Sequence, residues 1–102
     1  MSILHTVNKS PFERSNLDSC LNHATKGDAI LLIEDAVYAA MKTGSFAARM
    51  ADAAKQFKVF VLGPDMQARG MDTAAIVDGV TVVDYAGFVD LAAENKAVNA
   101  WL

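Results

Sequence analysis

The sequence predicts an α/β fold, in which a mainly parallel sheet carries helices on both of its faces. Short apolar runs alternate along the chain with segments whose apolar residues recur every three or four positions, as strands and helices do in this class. The runs at residues 29–33 and 59–62 are almost continuously apolar, which is typical of strands covered on both faces. The 102 residues include no linker-like or repeated stretch, so residues 1–102 are expected to form one domain.

Four strands and three helices are predicted, in alternating order. The strands are the apolar runs at residues 3–7, 29–33, 59–62 and 80–83. The first helix is expected to begin after Ser10-Pro11, where Glu13 would complete a capping box, and to end before Gly27. The second helix follows Gly44, and its apolar face is expected to comprise Phe46, Met50, Ala53, Ala54 and Phe57.

The C-terminal third is predicted to contain one more helix. This helix begins near Tyr85 and is expected to bury Phe88, Val89 and Ala92. Residues 70–79 fit either a short helix or an irregular connection. Trp101 and Leu102 are expected to pack against the protein, because burying large apolar side chains gives a chain end a reason to order.

Composition and charge exclude several classes of function. The chain is 53% hydrophobic and only 21% charged, so part of its surface is expected to be covered by other subunits, and the isolated chain is expected to self-associate. A net charge of −3 argues against direct nucleic-acid binding, which needs clustered Lys and Arg. No apolar run approaches the roughly 20 residues of a membrane span, and no signal-peptide pattern is present. One free cysteine fits a reducing compartment, so we expect a cytoplasmic protein.

The predicted carboxyl ends of the strands, where α/β folds bind ligands, are mostly acidic. They carry Glu34-Asp35, Asp65 and Asp84. Such an edge repels phosphate, and neither glycine-rich nucleotide motif occurs, so no cofactor is predicted. Paired carboxylates after a strand also occur in phosphoacceptor receiver domains, but the lysine that those domains need at a later strand end is missing. We interpret Glu34 and Asp35 as favourable charges at a helix N-terminus.

Three further polar residues have simple structural interpretations. Asp65 and Arg69 are spaced as an i, i+4 ion pair on a short helix between Pro64 and Gly70. His5 falls within the first strand, where a hydrogen-bonded core histidine is expected. Two histidines and one cysteine argue against a zinc site made by this chain alone, so no metal is predicted.

Cys20 is the candidate reactive residue. His23 lies three positions further on and would share its helix face, where it could weakly support a thiolate. Leu17, Leu21 and Ala24 mark the buried stripe of this helix, which places Cys20 at the core boundary and within reach of a partner. The alternative is that Cys20 packs as a small buried apolar residue.

Four segments in order and spacing resemble the DsrH/TusB family of sulfur-relay subunits. They are ILHTVNKSPF (residues 3–12), GDAILLIEDAVYAA (27–40), VFVLGPDMQARGM (59–71) and VVDYAGFVDL (82–91), followed by the terminal AWL (100–102). The resemblance spans nearly the whole chain. It implies a three-layer α/β/α domain of the DsrE-like kind.

The resemblance also implies partners and a chemistry. The subunit would join DsrE/TusD-like and DsrF/TusC-like relatives in a heterohexamer with two copies of each. The complex would take persulfide sulfur from a TusA-like donor and pass it to a DsrC/TusE-like acceptor. The main sulfur-carrying cysteine resembles one on the DsrE/TusD-like subunit, so Cys20 is expected to be able to accept sulfur but not to be the sole carrier.

Three functional hypotheses follow. In the first hypothesis the chain is a sulfur-transfer subunit and Cys20 is a candidate persulfide carrier. Cys20 matches the position of a cysteine in DsrH-type subunits, which favours a role in dissimilatory sulfur oxidation; the alternative is a TusB-type subunit for 2-thiolation of the tRNA wobble uridine. In the second hypothesis the chain is a structural subunit of the same assembly and Cys20 is silent. The third is an unrelated small-ligand module of flavodoxin-like build, which the acidic strand ends disfavour.

Overall fold

The computed structural model describes residues 2–102 and contains one five-stranded sheet. Its strands are β1 (Ile3–Val7), β2 (Ala29–Leu32), β3 (Lys58–Leu62), β4 (Thr81–Val83) and β5 (Ala97–Trp101). They lie in the order β4-β3-β2-β1-β5, and every neighbouring pair is parallel. The predicted α/β class with a parallel central sheet is therefore confirmed.

Helical elements connect the strands. The α-helices are α1 (Asn16–His23), α2 (Ala47–Gln56), α3 (Gly63–Ala68) and α4 (Tyr85–Glu94). A 3₁₀ helix, Glu34–Ala40, follows β2, and a 3₁₀ turn, Thr73–Ala75, occupies the segment that the sequence left ambiguous. No helix within residues 2–102 is both long enough and apolar enough to cross a membrane.

The sheet separates two apolar cores, which gives the three layers. On one face, Val7, Ile30 and Val61 pack with residues of α1, α2 and the 3₁₀ helix. On the other face, residues from three of the strands pack against α4. The residues of this second core are Leu4, Ala29, Leu31, Leu62 and Leu91, with Phe88 and Ala92 beside them. Full burial of each leucine is worth about 1.5–3 kcal/mol relative to exposure.

The start of the first helix differs from the prediction. The Ser10 hydroxyl accepts a hydrogen bond from the Phe12 amide (3.2 Å), and the Ser10 carbonyl accepts from Glu13 and Arg14 (both 3.1 Å). This local bonding closes an isolated turn that does not continue as helix, so no capping box forms. Helix α1 begins only after Ser15.

Helix α4 also buries a different set of residues from the predicted one. Phe88 and Ala92 pack on the second core, but Val89 is 67% exposed and Leu91 is buried in its place. The predicted face was therefore wrong at Val89. The sheet covers only part of the apolar stripe of α4, and the rest faces outward.

Strand β5 was missed from the sequence. Its residues Ala97–Ala100 are all exposed, so the segment has neither the continuous apolar run nor the alternation that marks a strand. The strand is held at the sheet edge by its pairing with β1. The expectation that the chain end is held is confirmed for Trp101, which is half-buried and hydrogen-bonded, and is wrong for Leu102, which is 83% exposed.

Candidate functional site

A buried polar network joins the two ends of the chain beneath α1. His5 of β1 is 1% exposed, and its Nε2 lies 2.9 Å from Asp28 Oδ2. The Trp101 indole N–H donates to His5 Nδ1 at 3.1 Å. Because an indole N–H only donates, Nδ1 must accept, and the ring proton lies on Nε2, where it is donated to Asp28. His5 is thus a hydrogen-bonded core histidine, as predicted.

Asp28 is the centre of this network. Its carboxylate accepts from the amide of Ile3 (3.1 Å) and the amide of Thr25 (3.0 Å) as well as from His5. Burial raises the pKa of the Asp28 carboxyl, but these hydrogen bonds more than offset that effect and hold the pKa below its ordinary value. A buried carboxylate with three donors stays charged at neutral pH and ties β1, β2 and β5 together.

Cys20 lies in the core rather than at its boundary, which corrects the predicted placement. The residue is 0% exposed and belongs to the larger core with Leu17 and Leu21. Burial, with a smaller contribution from the negative charge of Asp28, raises the pKa of the thiol from 9.0 to about 12. The neutral thiol is therefore the form present at physiological pH, and it is unreactive in this conformation.

His23 does not support a thiolate in this structure. Its imidazole is exposed and packs edge-on against the Trp101 indole, with ring centroids 5.7 Å apart. Within residues 2–102, no hydrogen bond joins His23 to the Cys20 thiol. The helix does bring the two residues to neighbouring turns, as their spacing predicted, but His23 serves as a packing surface for the last aromatic residue of the chain.

The acidic carboxyl edge of the sheet holds a second, more exposed network. Asp65 does not pair with the Arg69 guanidinium through its carboxylate, because Oδ2 accepts the Glu34 amide at 2.6 Å. Arg69 instead binds the Asp35 carboxylate (2.9 and 3.0 Å) and the Asp65 carbonyl (3.0 Å). Asp84 caps α4 by accepting the Gly87 amide at 2.8 Å. These contacts are structural, and within residues 2–102 no group of His, Cys, Asp and Glu side chains forms a metal site.

Sequence reasoning missed Asp28 and the partnership of His5 with Trp101. An aspartate after Gly27 reads as an ordinary turn residue, although its position directly before a continuously apolar strand is a weak signal of burial. Trp101 was expected to pack against the protein, but its partner, His5, lies near the opposite end of the chain, and no sequence pattern indicates that the two residues meet.

Comparison with solved structures supports the fold class. The YchN protein of E. coli superposes with a TM-score of 0.81 over 98% of both chains, at 18% sequence identity. A protein of unknown function from Methanobacterium thermoautotrophicum superposes with a TM-score of 0.71 over 97% of this chain and 96% of its own, at 14% identity. Both are similar to this chain in fold.

Sequence comparison defines the family. The family model described as "DsrH like protein" matches residues 9–98. Protein TusB of Pectobacterium parmentieri is 38% identical, and Protein TusB of Shigella flexneri 31% identical, each over 97% of this chain and the full length of the relative. The chain belongs to the DsrH/TusB family, and the resemblance seen in its motifs is confirmed.

Proposed function

We propose that this chain is the TusB-type subunit of a cytoplasmic TusBCD-type complex that relays persulfide sulfur for 2-thiolation of the tRNA wobble uridine. The observation that carries the proposal is the full-length similarity to proteins named TusB, at up to 38% identity among the relatives given above. These names favour tRNA thiolation over the sulfur-oxidation branch, which the sequence had suggested through Cys20 alone. The TusC-like and TusD-like subunits are the proposed partners.

The surface of the chain supports a role in assembly. Tyr85 and Val89 of α4 are 60% and 67% exposed, and Val98 of β5 is 49% exposed. Phe12, in the turn before α1, is 58% exposed and packs edge-on against Phe46, with ring centroids 5.9 Å apart. Large apolar side chains that stay exposed on a small domain fit contacts with other subunits.

The buried thiol assigns Cys20 a secondary role at most. In persulfide transfer a thiolate attacks the outer sulfur of the donor persulfide; a new S–S bond forms, the old one breaks, and the donor leaves as a thiolate. At pH 7 a thiol with a pKa of about 12 is ionised in on the order of one molecule in 10⁵, against one in 10² for an unperturbed cysteine. The structure therefore supports a partner subunit as the principal carrier, with Cys20 as a candidate carrier only when it becomes exposed.

The sulfur-oxidation branch remains the second candidate function. The feature that favours it is Cys20, since the resemblance implies a cysteine in the first helix of DsrH-type subunits. The two branches share the fold and the transfer chemistry, and they differ in the acceptor that receives the sulfur.

Sulfur loading of the assembled complex tests the proposed division of roles. The chain is co-expressed with its TusC-like and TusD-like partners, and the complex is treated with a persulfide donor before the intact mass of each subunit is measured. We expect a stable complex in which a partner gains about 32 Da, the mass of one sulfur atom, while this chain stays largely unmodified. Failure to associate with these partners would contradict the assembly role. Rapid, quantitative sulfur loading of this chain would contradict the claim that the Cys20 thiol is buried and unreactive.

A further inference from the structure

We propose that strand β5 is a releasable latch, closed by the Trp101–His5 hydrogen bond, and that its opening controls access to Cys20. The inference deepens the proposed function, on which it rests for its biological use, because it names a conformational control of the candidate sulfur carrier. The opening of β5 and the exposure of one thiol are properties of the chain itself, and they do not depend on any sulfur acceptor.

Strand β5 is weakly anchored at the edge of the sheet. Within residues 2–102 it pairs with β1 and with no other strand. Residues Ala97–Ala100 are exposed, so the strand buries little apolar surface apart from Trp101. Strands with few buried contacts and an exposed hydrogen-bond ladder lie at the low end of local stability.

Side chains anchor β5 near both of its ends. Trp101 donates to His5 Nδ1 and packs edge-on against the His23 ring of α1. At the start of the strand, the Lys96 amide donates to the Ser2 carbonyl (3.0 Å), and the Ser2 hydroxyl donates to Asn95 (2.7 Å). The Trp101 indole thus fastens the C-terminal end of the strand.

Trp101 connects the latch to the core that contains the thiol. Trp101 packs against the core cluster that contains Cys20, and β5 contacts α1, the helix that carries the thiol. Asp28, which is near enough to Cys20 to act on it electrostatically, is the residue that holds His5 in the orientation Trp101 needs. Release of Trp101 therefore removes one of the side chains that pack on the core cluster containing Cys20, while β1 to β4 stay paired with one another.

The test is the rate at which N-ethylmaleimide modifies Cys20 in the full-length chain, read as the intact mass of this chain so that cysteines of any partner do not interfere. Wild type is compared with Trp101→Phe, which keeps an aromatic ring and loses the indole N–H, and with the matched control Leu102→Ala, whose side chain is exposed. We expect Trp101→Phe to label about 3- to 10-fold faster than wild type, the effect of one lost hydrogen bond, and Leu102→Ala to label at the wild-type rate.

The denaturant dependence of labelling separates latch opening from global unfolding. In wild type we expect the labelling rate to rise with guanidinium much more shallowly than the equilibrium m-value for unfolding requires, because opening β5 exposes little surface. A labelling rate that follows the full m-value, or a Trp101→Phe rate equal to wild type, would overturn the latch. The wild-type measurement alone decides the question if Trp101→Phe does not fold. Because no sulfur donor or tRNA is involved, a negative result here leaves the proposed relay function intact, and a failed relay leaves this result intact.

Discussion

Asp28 is the residue on which the polar interior of this protein depends. A carboxylate that is 3% exposed is costly to bury, and it is tolerated here because three donors converge on it. The bond from His5 Nε2 orients the imidazole so that its Nδ1 accepts from Trp101, which couples the first strand to the last.

Replacing Asp28 with Asn is expected to lower the free energy of unfolding by about 2 kcal/mol at pH 7, because charge-assisted hydrogen bonds are lost and an amide N–H₂ faces other donors. The pKa of Asp28 is lower in the folded state than its unfolded value of 3.8. The carboxylate therefore stabilises the fold above pH 3.8, and this stabilisation is lost as the pH falls through the folded-state pKa. Urea unfolding of wild type and Asp28→Asn between pH 7 and pH 2.5 measures this. The two stabilities should converge on acidification; a constant difference across that range would contradict the assigned charge.

The buried thiol of Cys20 should make the stability of the protein depend on pH in the opposite direction, with a loss at alkaline pH. Its pKa is raised from 9.0 to about 12 on folding, so its contribution is complete below pH 9 and is lost as the pH rises, because the unfolded thiol ionises first. Between pH 7 and pH 10.5 wild type should lose about 2 kcal/mol of stability that Cys20→Ala does not lose. Paired unfolding curves for the two proteins provide the measurement, and parallel alkaline profiles would mean that the thiol is exposed in the folded state.

At the scale of elements, the connection from β2 to the 3₁₀ helix contains a strained residue. Glu34 has φ of 49°, in the left-handed region that side chains disfavour, and the Asp65 carboxylate holds its amide in place. The strain is local, because Glu34 itself is exposed.

Substituting Glu34 with Gly should therefore stabilise the protein by about 0.5–1 kcal/mol, since glycine adopts this backbone without strain. Glu34→Ala is the matched control: it removes the same charge but keeps the Cβ, so it should give no such gain. Thermal unfolding of the three proteins compares them directly. An equal effect of Gly and Ala would assign the change to the carboxylate instead of the backbone.

The elements that could be predicted from the sequence are those whose burial leaves a pattern in it. Strands β2 and β3 are covered on both faces and read as continuous apolar runs, and α2 carries its stripe from Met50 to Ala53. Strand β5 leaves no such pattern because an exposed edge strand needs no apolar residues. The start of α1 was misplaced because the Ser10 hydroxyl bonds the nearer amide and closes a turn instead of a helix.

For the candidate site, the sequence identified the residue, Cys20, but not the surroundings that determine its reactivity. The stripe of α1 indicates which side faces the sheet, but it does not show that Trp101, from the other end of the chain, packs on the core cluster that contains Cys20. Cys20 is fully buried in a core built from segments that are far apart in the sequence. The raised thiol pKa follows from this burial and from the charge of Asp28, and the spacing of Cys20 and His23 indicates neither.

At the scale of the whole molecule, the chain is better equipped for association than for independent chemistry. Its net charge of −3 and acidic strand ends offer no stripe for RNA, and its candidate thiol is enclosed. Exposed apolar side chains on α4 and β5 instead offer surfaces for other subunits. This combination fits the proposed role as one subunit of a sulfur relay.

The most direct test of this account is the 2-thiouridine content of tRNA in a bacterial strain that lacks its own TusB, TusC and TusD proteins. The chain is expressed there together with its TusC-like and TusD-like partners, and tRNA nucleosides are quantified by mass spectrometry. We predict that the three proteins together restore 2-thiolation, that the two partners without this chain do not, and that Cys20→Ala retains at least part of the activity. Restoration by the partners alone, or no restoration by a stably assembled complex of all three, would contradict the account.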